Sequence, residues 1–132
     1  MHKPYLIDNL KFDLRIYVLV YGVDPLRVFV FREGLARFAT EEYTGPYKNN
    51  LDNLYMHLTN YAINKNSENF EANEDSADDD SGSKRSVSSV LKYIAENEDG
   101  VTVEGLWAQI DDIAVKTLIS AQPQLCHSFR SL

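Results

Sequence analysis

From Phe12 onward, apolar and polar residues alternate with the two-residue period of a half-buried strand. Phe12, Leu14, Ile16, Val18 and Val20 fall on one face, and Asp13, Arg15, Tyr17, Leu19 and Tyr21 on the other. The run "GVDPL" (22–26) reads as a turn, because proline fixes its own φ and Asp24 can bond nearby backbone. "RVFVF" (27–31) predicts a second strand. "REG" (32–34) predicts a three-residue hairpin with Gly34 at positive φ, and "LARFA" (35–39) a returning third strand. These connections are too short for a helical crossover, so the strands predict an antiparallel meander.

The period changes near the end of the chain. Val87, Val90, Leu91, Ile94 and Ala95 are spaced for one face of a helix, with Ser86 as its N-cap. Thr102 can cap a second helix with the stripe Val103, Leu106, Trp107, Ile110, Ile113, Ala114, Thr117/Leu118 and Ala121, expected to end at Pro123. Both stripes read as core. Strands followed by helices predict an α+β fold, a β-meander and two amphipathic helices.

Between these halves lie a polar, turn-rich stretch (40–55) and an acidic one (66–83). The acidic segment holds seven carboxylates, no Lys or Arg, and only Phe70, Ala72 and Ala77 as apolar side chains. That is too little apolar surface to offset the entropy of ordering eighteen residues, so a disordered acidic loop is expected. "DSADDDSG" is oxygen-rich, but it lacks the glutamate and flanking helices of a calcium loop.

Composition narrows the partners. With 132 residues, 44% of them hydrophobic, the chain can bury a core. A net charge of −7 argues against general attraction to nucleic acid. The single Cys126 cannot close an internal disulfide, and no Cys/His spacing suits zinc. "MHKPYLIDNL" lacks a secretory h-region, and "IYVLVYGV" is too short to cross a bilayer. A soluble intracellular chain without membrane contact is expected.

Three elements could handle an anion. Lys11, Asp13, Arg15 and Tyr17 share one strand face, where a cross-strand ion pair is the simplest account. Arg37 is an isolated cation in an apolar strand, a setting that favours pairing or a ligand. Ser83, Lys84 and Arg85 of "GSKRS" precede a helix start, which favours anions, although simple charge balance for the acidic segment serves equally. "HLTNYAINK" (57–65) crowds His57, Thr59, Asn60, Asn64 and Lys65 around three aliphatic residues, a density of polar groups that packing alone does not call for. No nucleophile–base pair, glycine-rich phosphate loop or metal set stands out. The residues alone reach an anion-binding α+β domain.

The runs "KPYLID..LKFDLRIYVLV", "DPLRVFVFREGLARFAT", "NLDNLYMHLTNYAINK", "GSKRS" and "KTLISA" resemble the tubulin tyrosine ligase-like family, and most closely its polyglutamylase branch. The resemblance covers residues 4–130. It implies the central part of an ATP-grasp domain spanning 1–132. It also implies ATP-dependent ligation of free L-glutamate to glutamate side chains of tubulin tails, through an acyl phosphate. Such activation is needed because a carboxylate is a poor electrophile, and cations with Mg²⁺ can stabilise the charge spread of phosphoryl transfer.

By the same resemblance, Lys11, Phe12, Asp13, Thr59 and Asn60 match ATP-contacting positions. Arg15 matches a catalytic phosphate or acceptor contact. Arg37, Tyr61, Ser83 and Lys84 match the group around the incoming glutamate. Folding is then expected to bring Lys11, Arg37, Asn60 and Lys84 into one cleft. The family's magnesium-binding Asp, Glu and Asn are expected beyond residue 132, and its nucleotide-gripping lysine segment before residue 1. The 132 residues alone are therefore expected to have little ligase activity. Asp111 and Asp112, on the second helix pattern, are not expected to bind metal. Microtubules are the implied partner, in the cytoplasm and cytoskeleton, with the cilium or basal body as a family-level expectation. Two alternatives remain open: a non-catalytic tubulin- or partner-binding module on this scaffold, and a ligase for glycine or tyrosine.

Overall fold

A two-residue hairpin opens the chain. β1 (Leu6–Ile7) pairs antiparallel with β2 (Leu10–Val23) in the register Leu6↔Lys11 and Ile7↔Leu10. The turn residues Asp8 and Asn9 take φ of 54° and 59°. Both central residues of a type I′ turn need positive φ, which Asp and Asn tolerate better than other non-glycine residues. The computed structural model describes residues 3–47, 49–72 and 82–130, the last two without side-chain detail. The middle of the expected acidic loop, 73–81, lies outside the described residues.

β3 (Leu26–Glu42) follows β2 after the Asp24–Pro25 turn and is 17 residues long. This corrects the expected hairpin at "REG": the strand runs straight through it. Among the described glycines, positive φ belongs to Gly45, Gly82 and Gly100, so Gly34 is not in the turn conformation. Its N–H donates instead to the Glu33 carboxylate at 2.8 Å. Glycine permits a reversal without requiring one, and the β-branched and aromatic residues on both sides favour continuing. The sheet order is β1-β2-β3-β4, with β4 (Lys84–Ser86) antiparallel to β3. "KRS" is thus a short strand, and it leads directly into the helix expected after it.

Two short helices, α1 (Leu54–His57) and α2 (Tyr61–Asn64), come between β3 and β4. Asn53 caps α1, its side chain accepting from the Met56 N–H at 3.3 Å. α3 (Val87–Asn97) begins as expected at Ser86, whose hydroxyl accepts from the Ser89 N–H at 3.1 Å. α4 (Val103–Arg130) is capped by Thr102, which accepts from the Gly105 N–H at 3.0 Å.

Pro123 does not end α4, contrary to expectation. Proline removes one helical N–H. Gln122 and Cys126 donate to the Val23 carbonyl at 2.7 and 3.4 Å, fastening the turns on either side of it. The α4 stripe is half-covered, and Ile113 within it is exposed.

The chain divides into two units. In the first, Met1–Arg15 with Leu35–Val90, the core is Ile7, Ala36, Phe38, Ala39, Met56, Val87 and Val90. Phe12 stacks on Phe38 with ring centroids 5.3 Å apart. The second comprises Ile16–Gly34 and Leu91–Leu132. There Arg32 makes a bidentate pair with Asp111, at 2.9 and 2.7 Å, and lies 5.0 Å over the Trp107 ring. Hydrogen bonding to Asp111, with its charge, holds the Arg32 guanidinium above its ordinary pKa despite some opposing desolvation. Asp112 pairs with Lys116 one turn on. Both helix carboxylates are therefore engaged with cations. No helix among the described residues is long and apolar enough to cross a membrane.

Candidate functional site

The site is assembled around Asn64. Its side chain is 1% exposed and all four of its hydrogen-bond positions are filled. Oδ1 accepts from the Thr40 N–H at 3.1 Å and the Thr40 hydroxyl at 2.8 Å. Nδ2 donates to the carbonyls of Leu58 at 2.8 Å and Asn60 at 3.1 Å. The amide thus ties the break between α1 and α2 to β3, and it explains much of the polar crowding in "HLTNYAINK". His57 is structural too: its ring contacts the Asn50 carbonyl at 3.0 Å, and its carbonyl accepts from Lys11 Nζ at 2.5 Å.

Beside this anchor, three strands set up a row of charge. Asp13 on β2 pairs with Arg37 on β3, Oδ1 to Nε at 2.9 Å and Oδ2 to Nη2 at 2.5 Å. Arg37 is in direct register with Lys84 on β4. Like charges directly opposite on neighbouring strands are unfavourable unless something compensates. Asp13 compensates Arg37. The Lys84 ammonium sits 3.8 Å from the centroid of the Tyr61 ring, a cation–π contact. Lys65 approaches the same ring at 5.9 Å. Phe70 meets it edge-on at 5.8 Å.

Arg37, Phe38, Thr59, Tyr61, Asn64, Phe70, Ser83 and Lys84 line one shallow cleft. Ser83 is buried and joined to the far side of the acidic segment. Its hydroxyl accepts from the Glu71 N–H at 3.2 Å, and its own N–H donates to the Glu71 carbonyl at 3.1 Å. Residues 66–72 and 82–83 are accordingly held by hydrogen bonds at their junction.

The structure brings together Arg37, Thr59, Tyr61, Ser83 and Lys84 in this cleft. It does not bring the remaining candidates into the lining. Lys11 is held by the His57 carbonyl. Phe12 packs on Phe38 and Tyr5. Asp13 reaches the cleft only through Arg37. Arg15 and Asn60 are exposed outside it. The expected convergence of four residues is therefore realised for Arg37 and Lys84 and not for Lys11 and Asn60. Arg85, next to Lys84, turns away to bind Asp8 at 2.8 Å and to stack over Phe38. Among the described residues, no group of three or more His, Cys, Asp or Glu is placed to hold a metal ion.

A sequence profile of the tubulin-tyrosine ligase family matches residues 1–131. The chain belongs to the tubulin-tyrosine ligase family. It is 50% identical over 131 residues to a probable beta-tubulin polyglutamylase of Tetrahymena thermophila, covering 99% of this chain and 11% of that relative. Over 129 residues it is 52% identical to tubulin polyglutamylase TTLL6 of Homo sapiens, covering 98% of this chain and 14% of the relative. Over 130 residues it is 46% identical to tubulin polyglutamylase TTLL7 of Mus musculus, with 98% and 14% covered. The chain spans 11% to 16% of the length of the relatives it matches.

In this member of the tubulin-tyrosine ligase family, three residues of the cleft lining, Phe38, Asn64 and Phe70, are not singled out in the sequence as site residues. Asn64 offers a signal, a carboxamide at the end of a short apolar helical run, but its partner Thr40 is 24 residues away. Phe70 reads in the sequence as stray apolar surface in an acidic segment, whereas it packs on Tyr61.

Proposed function

We propose that this chain is the central part of an ATP-grasp catalytic domain that ligates glutamate to glutamate side chains of tubulin tails. The observation that carries this reading is the register pair Arg37 and Lys84 at one cleft with Thr59, Tyr61 and Ser83. Two adjacent cations beside hydrogen-bonding side chains suit a dicarboxylic amino acid. The row Asp13, Arg37, Lys84 carries one net positive charge, complementary to the net negative charge of glutamate. Each charge-assisted bond to a carboxylate contributes about 1.5–3 kcal/mol. Glycine or tyrosine would offer one carboxylate to the two cations where glutamate offers two, so the pair favours glutamate over both. The names of the relatives, all polyglutamylases, support the same direction.

On this reading, Arg37 and Lys84 hold the carboxylates of the incoming glutamate while Tyr61, Thr59 and Ser83 shape its pocket and orient it. Thr59 borders the nucleotide side, with Lys11, Phe12, Asp13 and Asn60 matched to ATP by resemblance and Arg15 to the acceptor or phosphate. These residues fit a nucleotide in part: they supply amide, hydroxyl and cationic groups, but Lys11 and Asp13 already have protein partners. ATP with Mg²⁺, when bound, supplies the phosphoryl group that activates the acceptor carboxylate. Tubulin tails and microtubules are the partners on this reading, which assigns the protein to the cytoskeleton, cilia or basal bodies included.

The test is transfer of labelled glutamate to tubulin tails by the full-length protein containing this chain. ATP-dependent incorporation that falls sharply in Lys84→Gln is expected. Incorporation of glycine or tyrosine in its place would overturn the assignment.

A further inference from the structure

Both oxygens of the Asp13 carboxylate are engaged by one guanidinium. Oδ1 takes Arg37 Nε at 2.9 Å and Oδ2 takes Nη2 at 2.5 Å, a bidentate arrangement that fixes the plane of the guanidinium as well as its position. The pair is partly withdrawn from water, with 21% of the arginine side chain and 39% of the aspartate side chain exposed. Arg37 is also the residue in register with Lys84. Without the Asp13 carboxylate, like-charge repulsion would push Arg37 away from its neighbour Lys84.

We infer that Asp13 is a positioning residue for Arg37: its carboxylate holds the guanidinium in the cleft at the distance from Lys84 that a bound dicarboxylic amino acid requires. This deepens the proposed function and rests on it. It gives Asp13 a duty toward the amino-acid substrate, although the sequence resemblance puts this residue with the nucleotide. A carboxylate with both oxygens on Arg37 affects a nucleotide only secondarily. The chemistry needs an acid here and not merely a polar residue. An asparagine would keep one acceptor but aim its NH₂ at Arg37 Nη2, replacing attraction with a clash of donors.

The experiment measures KM separately for glutamate and for ATP in the full-length protein, using wild type, Asp13→Asn, Arg37→Ala and the double variant. Asp13→Asn is expected to raise the glutamate KM by roughly tenfold or more, the effect of losing one charge-assisted bond, and to move the ATP KM far less. In the Arg37→Ala background the same change is expected to add almost nothing, because its target is gone. Asp13→Glu, which retains the charge, is expected to recover part of the loss. Two results would overturn the inference: an ATP KM that rises while the glutamate KM holds, or a full Asp13→Asn effect persisting without Arg37. Failure of the functional reading looks different, since Arg37→Ala would then leave the glutamate KM unchanged. In that case NMR exchange of the Arg37 Nε–H still decides: faster exchange in Asp13→Asn than in wild type supports the positioning role, and equal rates contradict it.

Discussion

Arg37 and Lys84 stand directly opposite one another on neighbouring antiparallel strands. A folded protein gains nothing from two cations in that relation, and each is offset separately. Arg37 has Asp13 beside it, and Lys84 rests on the face of Tyr61. The aromatic face is the weaker of the two arrangements, contributing about 0.5–1 kcal/mol at exposed sites. Lys84 is thus the cation a ligand carboxylate can capture at least cost.

The first prediction follows from that difference. Arg37→Ala should weaken the use of glutamate far more than the binding of ATP. Lys84→Gln should do the same with less effect on the fold, because the Tyr61 contact is easily given up. Steady-state kinetics at varied glutamate and varied ATP separate the two substrates. Equal losses in both would count against the assigned roles.

Asn64 should matter for stability more than any charged residue of the cleft. Replacing it with leucine keeps the branched shape in a larger side chain and strips four hydrogen bonds, orphaning the Thr40 N–H and hydroxyl and the Leu58 carbonyl, while the Asn60 carbonyl keeps the Ile63 and Asn64 backbone N–H groups. A buried polar group left unsatisfied costs about 1–3 kcal/mol, so a loss of several kcal/mol is expected from urea unfolding. Asn64→Asp should also destabilise, since it faces two carbonyls with an acceptor. A change below about 1 kcal/mol for either variant would show that the amide is not the anchor.

The Arg32–Asp111 pair should behave as a surface interaction. Its raised arginine pKa means that its contribution is fully present below the pKa of the unfolded chain and disappears only as pH climbs through the higher folded value. Between neutral and mildly alkaline pH, the melting temperature difference between wild type and Arg32→Gln should therefore stay constant. It should shrink in molar salt, where exposed charges are screened. A difference that grows with salt would point to the stacking on Trp107 as the dominant contribution.

The helix caps give a fourth check. Ser86→Ala and Thr102→Ala each remove a hydroxyl that accepts an orphan N–H, with a cost of about 1 kcal/mol apiece. The two sites share no partner, so the double variant should lose close to the sum by chemical denaturation. Marked non-additivity would mean that one helix start depends on the other.

These caps are legible in the sequence because capping is local: a hydroxyl residue, then the apolar spacing of a helix, says where the helix begins. The turn at Asp24–Pro25 is legible for the same reason, and so is Arg37 as a cation in need of a partner. Gly34 misleads because glycine marks where a chain can turn, while the decision rests on pairing with a neighbouring strand. Pro123 misleads because the bond it removes is outweighed by Gln122 and Cys126 docking on the Val23 carbonyl. The Asn64–Thr40 bond and the Arg37–Lys84 register join residues 24 and more positions apart. No periodicity within a segment encodes such a pairing, and so the cleft itself becomes visible only once the strands are aligned.

The most direct measurement is a competition between amino acids at the cleft. The full-length protein is supplied with ATP, tubulin tail peptides and equimolar labelled glutamate, glycine and tyrosine, and the product is read by mass spectrometry for wild type and Lys84→Gln. The account predicts glutamate as the added residue in wild type and a selective loss of that addition in the variant. Tails carrying glycine or tyrosine, or an unchanged glutamate yield after Lys84→Gln, would contradict it.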